Sequence, residues 1–154
     1  MYAILILLHS VMRWLVLASL LYAIYRAFTG YLGQRDFSKT DDRARHWTAT
    51  ISHIQLMIGL TLYLQSPIIK YFWKHSKELT GNLDLVFFGL IHIVLMLTAI
   101  IIITIGSALA KRQSDDKEKF RTILVWFSIA LLIIVIAIPW PFSPFANRPY
   151  LRSF

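Results

Sequence analysis

Residues 85–109 read LVFFGLIHIVLMLTAIIIITIGSAL, a run without one Asp, Glu, Lys or Arg. As a helix rising about 1.5 Å per residue, it outspans the roughly 30 Å hydrocarbon core of a bilayer. A helix is also the economical conformation there, because lipid offers no partner to an exposed backbone N–H or C=O. Three further apolar runs accompany it, at about 2–27, 47–65 and 123–140. The expected fold class is all-α, an integral membrane four-helix bundle, with residues 1–154 forming a single transmembrane domain. Pro67 ends the second run and Pro139-Trp140-Pro141 ends the fourth, since proline removes a helix donor and clashes with the preceding turn. Residues 68–77, IIKYFWKHSK, mix aromatics with lysines as an interfacial segment does. Residues 141–154, rich in proline, read as an irregular tail folded over the same end of the bundle.

Composition agrees. A hydrophobic share of 57% and a mean hydropathy of +0.60 exceed what a soluble core of 154 residues hides. A net charge of +8 would point to nucleic acid in a soluble chain. Here the basic residues sit in the connections, where they contact lipid headgroups and set topology, so no nucleic-acid partner is expected. Let face A be the end carrying the N-terminus and face B the opposite end. Ten of the 16 Lys and Arg residues fall in the B connections and five on A, while Arg13 lies within the first run. The positive-inside rule then makes B cytoplasmic and both termini periplasmic, in a bacterial inner membrane. The first run lacks a basic start and a small-residue cleavage site, so it is expected to be retained. No cysteine is present, which excludes disulfides, iron–sulfur clusters, thiolate-ligated haem and covalent c-type haem. No HExxH, P-loop, nucleophile elbow or pair of carboxylates marks a hydrolytic site.

What remains for chemistry is a small set of polar residues inside the apolar runs. An ionisable residue there costs roughly 2.5–3.5 kcal/mol on insertion scales, so it marks a functional site by default. His9 and Arg13, in LLHSVMRW (7–14), stand one helical turn apart on the same face. His9 lies roughly 12 Å below face A by helical rise, and His92, in a run that enters from the same face, lies at nearly the same depth. Both side chains lean toward face A. Two histidines at one level on different helices are what bis-axial haem ligation in a helical bundle needs. Arg13 leans back to the same level, where it can clamp a carboxylate such as a haem propionate. Gly89, three residues before His92, would leave room for a flat macrocycle, and Gly59 could do so on the second helix. His53 enters from face B and sits deeper, as an alternative ligand or as part of a proton or quinone path. Three-histidine zinc or copper binding is weakened by that difference in depth. Met57 and Met96, each four residues after an embedded histidine, read as packing. The competing interpretation is that these polar groups only hydrogen-bond between helices.

At these residues the chain resembles a group of small four-helix membrane proteins of Bacteroidetes labelled cytochrome b or cytochrome b-like. The resemblance rests on LLHSVMRWLVL (7–17), SHIQLMIGL (52–60), the His92 region with its basic exit ALAKR (108–112), and AIPWPF (137–142). It implies a b-type haem held by histidines, with His9, His53 and His92 as ligand candidates, and leaves open which two ligate. RARHW (43–47) is also similar to the entry helix of hydrogenase-type cytochrome b subunits, which would promote His46 to a ligand.

The expected function is electron transfer through haem b, with His9 and His92 as axial ligands, Arg13 on a propionate and His53 second to them. A quinol is the expected electron source and a redox protein the expected partner, alongside the lipid bilayer. The chain reads as an electron carrier rather than an independent enzyme. The alternative is a haem-free accessory subunit or assembly factor of a membrane complex. A channel or transporter is disfavoured by the shortage of embedded acids and of broken helices.

Overall fold

The computed structural model describes residues 2–75, 82–143, 146 and 148–150. The parts of the expected interfacial segment and tail at 76–77, 144–145, 147 and 151–154, with Lys77 and Arg152, lie outside the described residues. The described residues form five helices: α1 (Tyr2–Leu32), α2 (Lys39–Gln65), α3 (Pro67–Lys74), α4 (Leu83–Arg112) and α5 (Asp116–Ala137). Among the described residues there is no strand, so the chain is all-helical. Helices α1, α4 and α5 are each long and apolar enough to cross a membrane. Helix α2 has the length but not the apolarity, because even its uncharged stretch beyond Arg45 carries Ser52, His53, Gln55, Gln65 and several threonines.

The helices run past the apolar runs that announced them. Helix α2 starts about two turns before Trp47, where Ser38 and Asp41 form a reciprocal capping box that satisfies the first free N–H groups. Helix α5 starts at Asp116 instead of about 123, with the Asp115 side chain accepting from the Glu118 N–H. It stops at Ala137, before the expected 140, because the residue preceding Pro139 is pushed out of the helical region. Counting apolar residues finds the part of a helix that lipid would cover, and caps extend it into water.

Helix α1 packs along α2 and α5, while α4 packs closely on α5 and more loosely on α2. Helices α1 and α4 therefore face each other across the interior. The half toward face B is filled: Leu20, Ala23 and Ala27 of α1 meet Ala99 and Ile103 of α4 and Phe120, Phe127 and Ala130 of α5. Small residues permit the close approach. At Gly106 an added Cβ would fall 2.3 Å from the Trp126 Cβ, an atom fixed to the α5 backbone. Gly106→Ala is therefore expected to force α4 and α5 apart, costing about 1–3 kcal/mol as overpacking does. Unfolding in mixed detergent micelles measures it, and a stability unchanged from wild type would contradict this contact.

The outer end of the A half is covered by α3 and by the described residues of the tail. Arg148 pairs with Asp84 at 2.8 Å and lies over the Phe88 ring. Trp140 packs against Trp14 and Tyr150. Beneath this cover the interior stays open.

Candidate functional site in the half toward face A

A cavity of about 220 Å³ lies between α1, α2, α4 and α5. His9, Arg13, Gln55 and His92 line its polar level, and Ile6, Leu56, Met96 and Ile134 are among its apolar walls. His9 and His92 meet across it with ring centroids 6.4 Å apart and ring planes 67° apart.

His92 is aimed by its backbone. A π-helical turn, Phe87–Ile91, interrupts α4 just before it, and such turns shift the phase of the side chains that follow. The Nδ1 of His92 stands 2.8 Å from the Ala137 carbonyl at the end of α5. A carbonyl only accepts, so Nδ1–H donates and the neutral ring keeps its lone pair on Nε2. Phe87 and Phe88 flank the ring.

His9 is held differently. A Cβ added at Gly59 would lie 3.2 Å from its Cε1 and 3.6 Å from its Nδ1, so that edge of the ring faces α2. Gln55 sits one turn before Gly59 and donates its Nε2 to the His9 backbone carbonyl at 3.0 Å. The Nδ1 of His9, the Oε1 of Gln55 and the Nε of Arg13 are buried without a hydrogen-bond partner. Buried polar atoms are nearly always paired, so three orphans around one cavity call for an explanation.

Arg13 does not reach an acid. Among the described residues no carboxylate lies within ion-pair distance of it. Instead its Nη2 and the Trp14 Nε1 both donate to the Tyr150 carbonyl, strapping the tail over the cavity mouth.

Two expected site residues are placed elsewhere. His53 is exposed and stands 3.0 Å from the Thr104 hydroxyl through its Nε2. The single Thr104 proton goes to the Ile100 carbonyl, so the His53 Nε2–H is the donor and has no free lone pair there. The cause is helix phase: Ser52, Gln55 and Leu56 take the cavity-facing positions, and His53 is turned about 100° from Ser52 onto the α2–α4 seam. Gly89 is not open to the cavity either. A Cβ there would lie 2.5 Å from the Phe72 ring, so this glycine seats α3, and its carbonyl accepts from the Tyr63 hydroxyl. His46 is exposed beside Trp47, away from the cavity. Met96 lines the cavity, whereas Met57 faces outward.

The sequence reading passed over Gln55, Tyr63, Arg148 and the π-helical turn. Gln55 had a signal, an amide inside an apolar run; the turn had none.

Among the described residues no group of three His, Asp or Glu side chains is placed to hold a metal ion. The donor set that does converge fits a haem. Two imidazoles oppose each other across an apolar cavity, and one already donates its second nitrogen to a carbonyl, as metal-bound histidines usually do. A guanidinium with an unused N–H stands at the same end for a carboxylate. Comparison with protein-family models, curated proteins and solved structures gives no match in any of the three.

Proposed function

We propose that the chain is a four-span membrane bundle, α2 included, that holds one b-type haem between His9 and His92 and passes electrons. The observation that carries this reading is the His9–His92 separation of 6.4 Å. Two imidazoles bound to one metal from opposite sides, each at about 2 Å, place their ring centroids about 6 Å apart. Held by two imidazoles, a haem would supply one-electron transfer rather than oxygen binding. The chain's own part is to hold the ligands. Ala137 fixes the tautomer of His92, apolar side chains wall the cavity, and Arg13 offers its free N–H to a propionate. Quinol in the bilayer is the proposed electron source, and a protein on the outer face the proposed acceptor. The excess of basic residues on face B supports the proposal that this face is cytoplasmic in a bacterial inner membrane and that both termini are periplasmic.

The visible spectrum of the detergent-purified protein tests the reading. A sharp Soret band with split α and β bands on reduction is expected. Colourless protein that takes up no added haem would mean that the histidines only bond between helices, as in an accessory subunit or assembly factor. Arg13→Leu is expected to weaken haem binding about tenfold, as loss of one outer contact does. Haem titration reads that directly, and an unchanged affinity would remove Arg13 from the site.

A further inference from the structure

Two of the orphaned atoms lie on the same side of the cavity. The Nδ1–Cε1 edge of His9 faces the strip of α2 that carries Gln55 and Gly59. Gln55 cannot be turned round, because the His9 carbonyl requires a donor and so takes the amide nitrogen. That leaves Oε1, a pure acceptor, buried beside a ring whose Nδ1 is also buried and unbonded. The two atoms make no direct hydrogen bond, so a bridge between them would run through water at the polar level of the cavity. Gly59 is part of the arrangement: an alanine Cβ there would press on the ring edge and turn it.

We propose that Gln55 is the positioning residue of His9: its Oε1 accepts, through one water, from His9 Nδ1–H and so directs Nε2 into the cavity. The consequence for electron transfer rests on the haem reading above. Both ligands would then follow one rule, His92 being set by a backbone carbonyl of α5 and His9 by a side-chain carbonyl of α2. A hydrogen bond to Nδ1–H makes an imidazole a stronger donor to iron and favours the oxidised form.

The first test needs no haem. Nitrogen-15 spectra of histidine-labelled, haem-free protein in micelles, with His9 assigned by its loss in His9→Gln, report which ring nitrogen carries the proton. Nδ1–H is expected. An Nε2–H tautomer would overturn the proposal, because the water would then donate to both atoms and Gln55 would set nothing. The second test compares Gln55→Met with Gln55→Glu in haem-loaded protein. Gln55→Met is expected to weaken haem binding about tenfold. It is also expected to shift the ferric-to-ferrous ratio at fixed poise about tenfold toward ferrous, a rise of about 59 mV for one electron. Gln55→Glu keeps an acceptor at the same place and adds negative charge, so its potential is expected at or below the wild-type value, on the opposite side from Gln55→Met. A potential unmoved in Gln55→Met, with haem bound, would overturn the proposal while leaving the haem reading intact. Protein that binds no haem would sink the haem reading, and the tautomer would still decide the part played by Gln55.

Discussion

His92→Ala is expected to lower haem affinity more than about 100-fold, beyond the 10–100-fold typical of losing a supporting contact alone. The split reduced bands would disappear with it. His9→Ala is expected to remove them as well, whereas His53→Ala is expected to leave them in place. The distinction comes from geometry. The lone pair of His92 is committed to Nε2 by the Ala137 carbonyl, while the Nε2 of His53 is spent on Thr104 outside the cavity. His92→Ala also leaves the Ala137 carbonyl without its donor at a fully buried position, for about 1–3 kcal/mol. Helix content by circular dichroism must therefore stay near wild type for the spectral loss to count. Loss of the bands in His53→Ala, with His9→Ala unaffected, would reverse the pairing.

Much of this site could be read from residue spacing, and what failed to be read has a definite cause. His9 and His92 were paired because depth along a membrane helix follows from rise per residue, which is nearly constant. Their opposition across the interior followed once α1 and α4 took opposite sides. Which way a side chain points around its helix is less secure, because phase accumulates and any irregularity changes it. His53 shows this, since a rotation of one residue separates it from the cavity-facing Ser52. The π-helical turn before His92 is another such change, invisible in FFGLI as a string. Gly89 failed for a related reason: a missing side chain signals close approach but not what approaches, and here it is Phe72. Helix ends were misplaced wherever polar caps lengthened them, at Ser38 and Asp115 above all. Among the described residues Arg13 meets no carboxylate, and its partner is a tail carbonyl more than a hundred residues away, which no local pattern announces.

The turn joining α1 to α2 depends on one acid, and Asp41→Asn is expected to destabilise the protein by about 2–3 kcal/mol. Asp41 is 3% exposed. It accepts from Arg26 Nε at 2.8 Å, from Arg35 at 2.6 and 2.8 Å, and from the Ser38 N–H at 2.9 Å. Burial alone would raise its carboxyl, but the bonds from Arg35, Arg26 and Ser38 overcome burial and hold it well below the ordinary carboxylate range. Breaking a buried pair by removing one partner costs about 3–5 kcal/mol in general. The Arg26 and Arg35 side chains are 27% and 34% exposed, so water relieves part of the loss and the expected value falls below that range. The sign with pH follows from the lowered carboxyl. Its stabilisation is complete above the unfolded value of about 3.9 and is lost as pH falls below it. The gap between wild type and Asp41→Asn is therefore expected to stay constant from pH 7 down to about 5 and to close in stronger acid. Detergent-unfolding midpoints across that range measure it. A gap that widened on acidification would show that the charge on Asp41 is not what ties α1 to α2. Asp116, more exposed at 37%, holds Lys119 and the Phe37 N–H on the same face. Asp116→Asn is expected to change stability far less than Asp41→Asn, as loss of a surface ion pair does. Because Asp41 lies at the far end of the bundle from the His9–His92 cavity, Asp41→Asn should lower stability while leaving the ligand pair, and any haem it holds, spectroscopically unchanged.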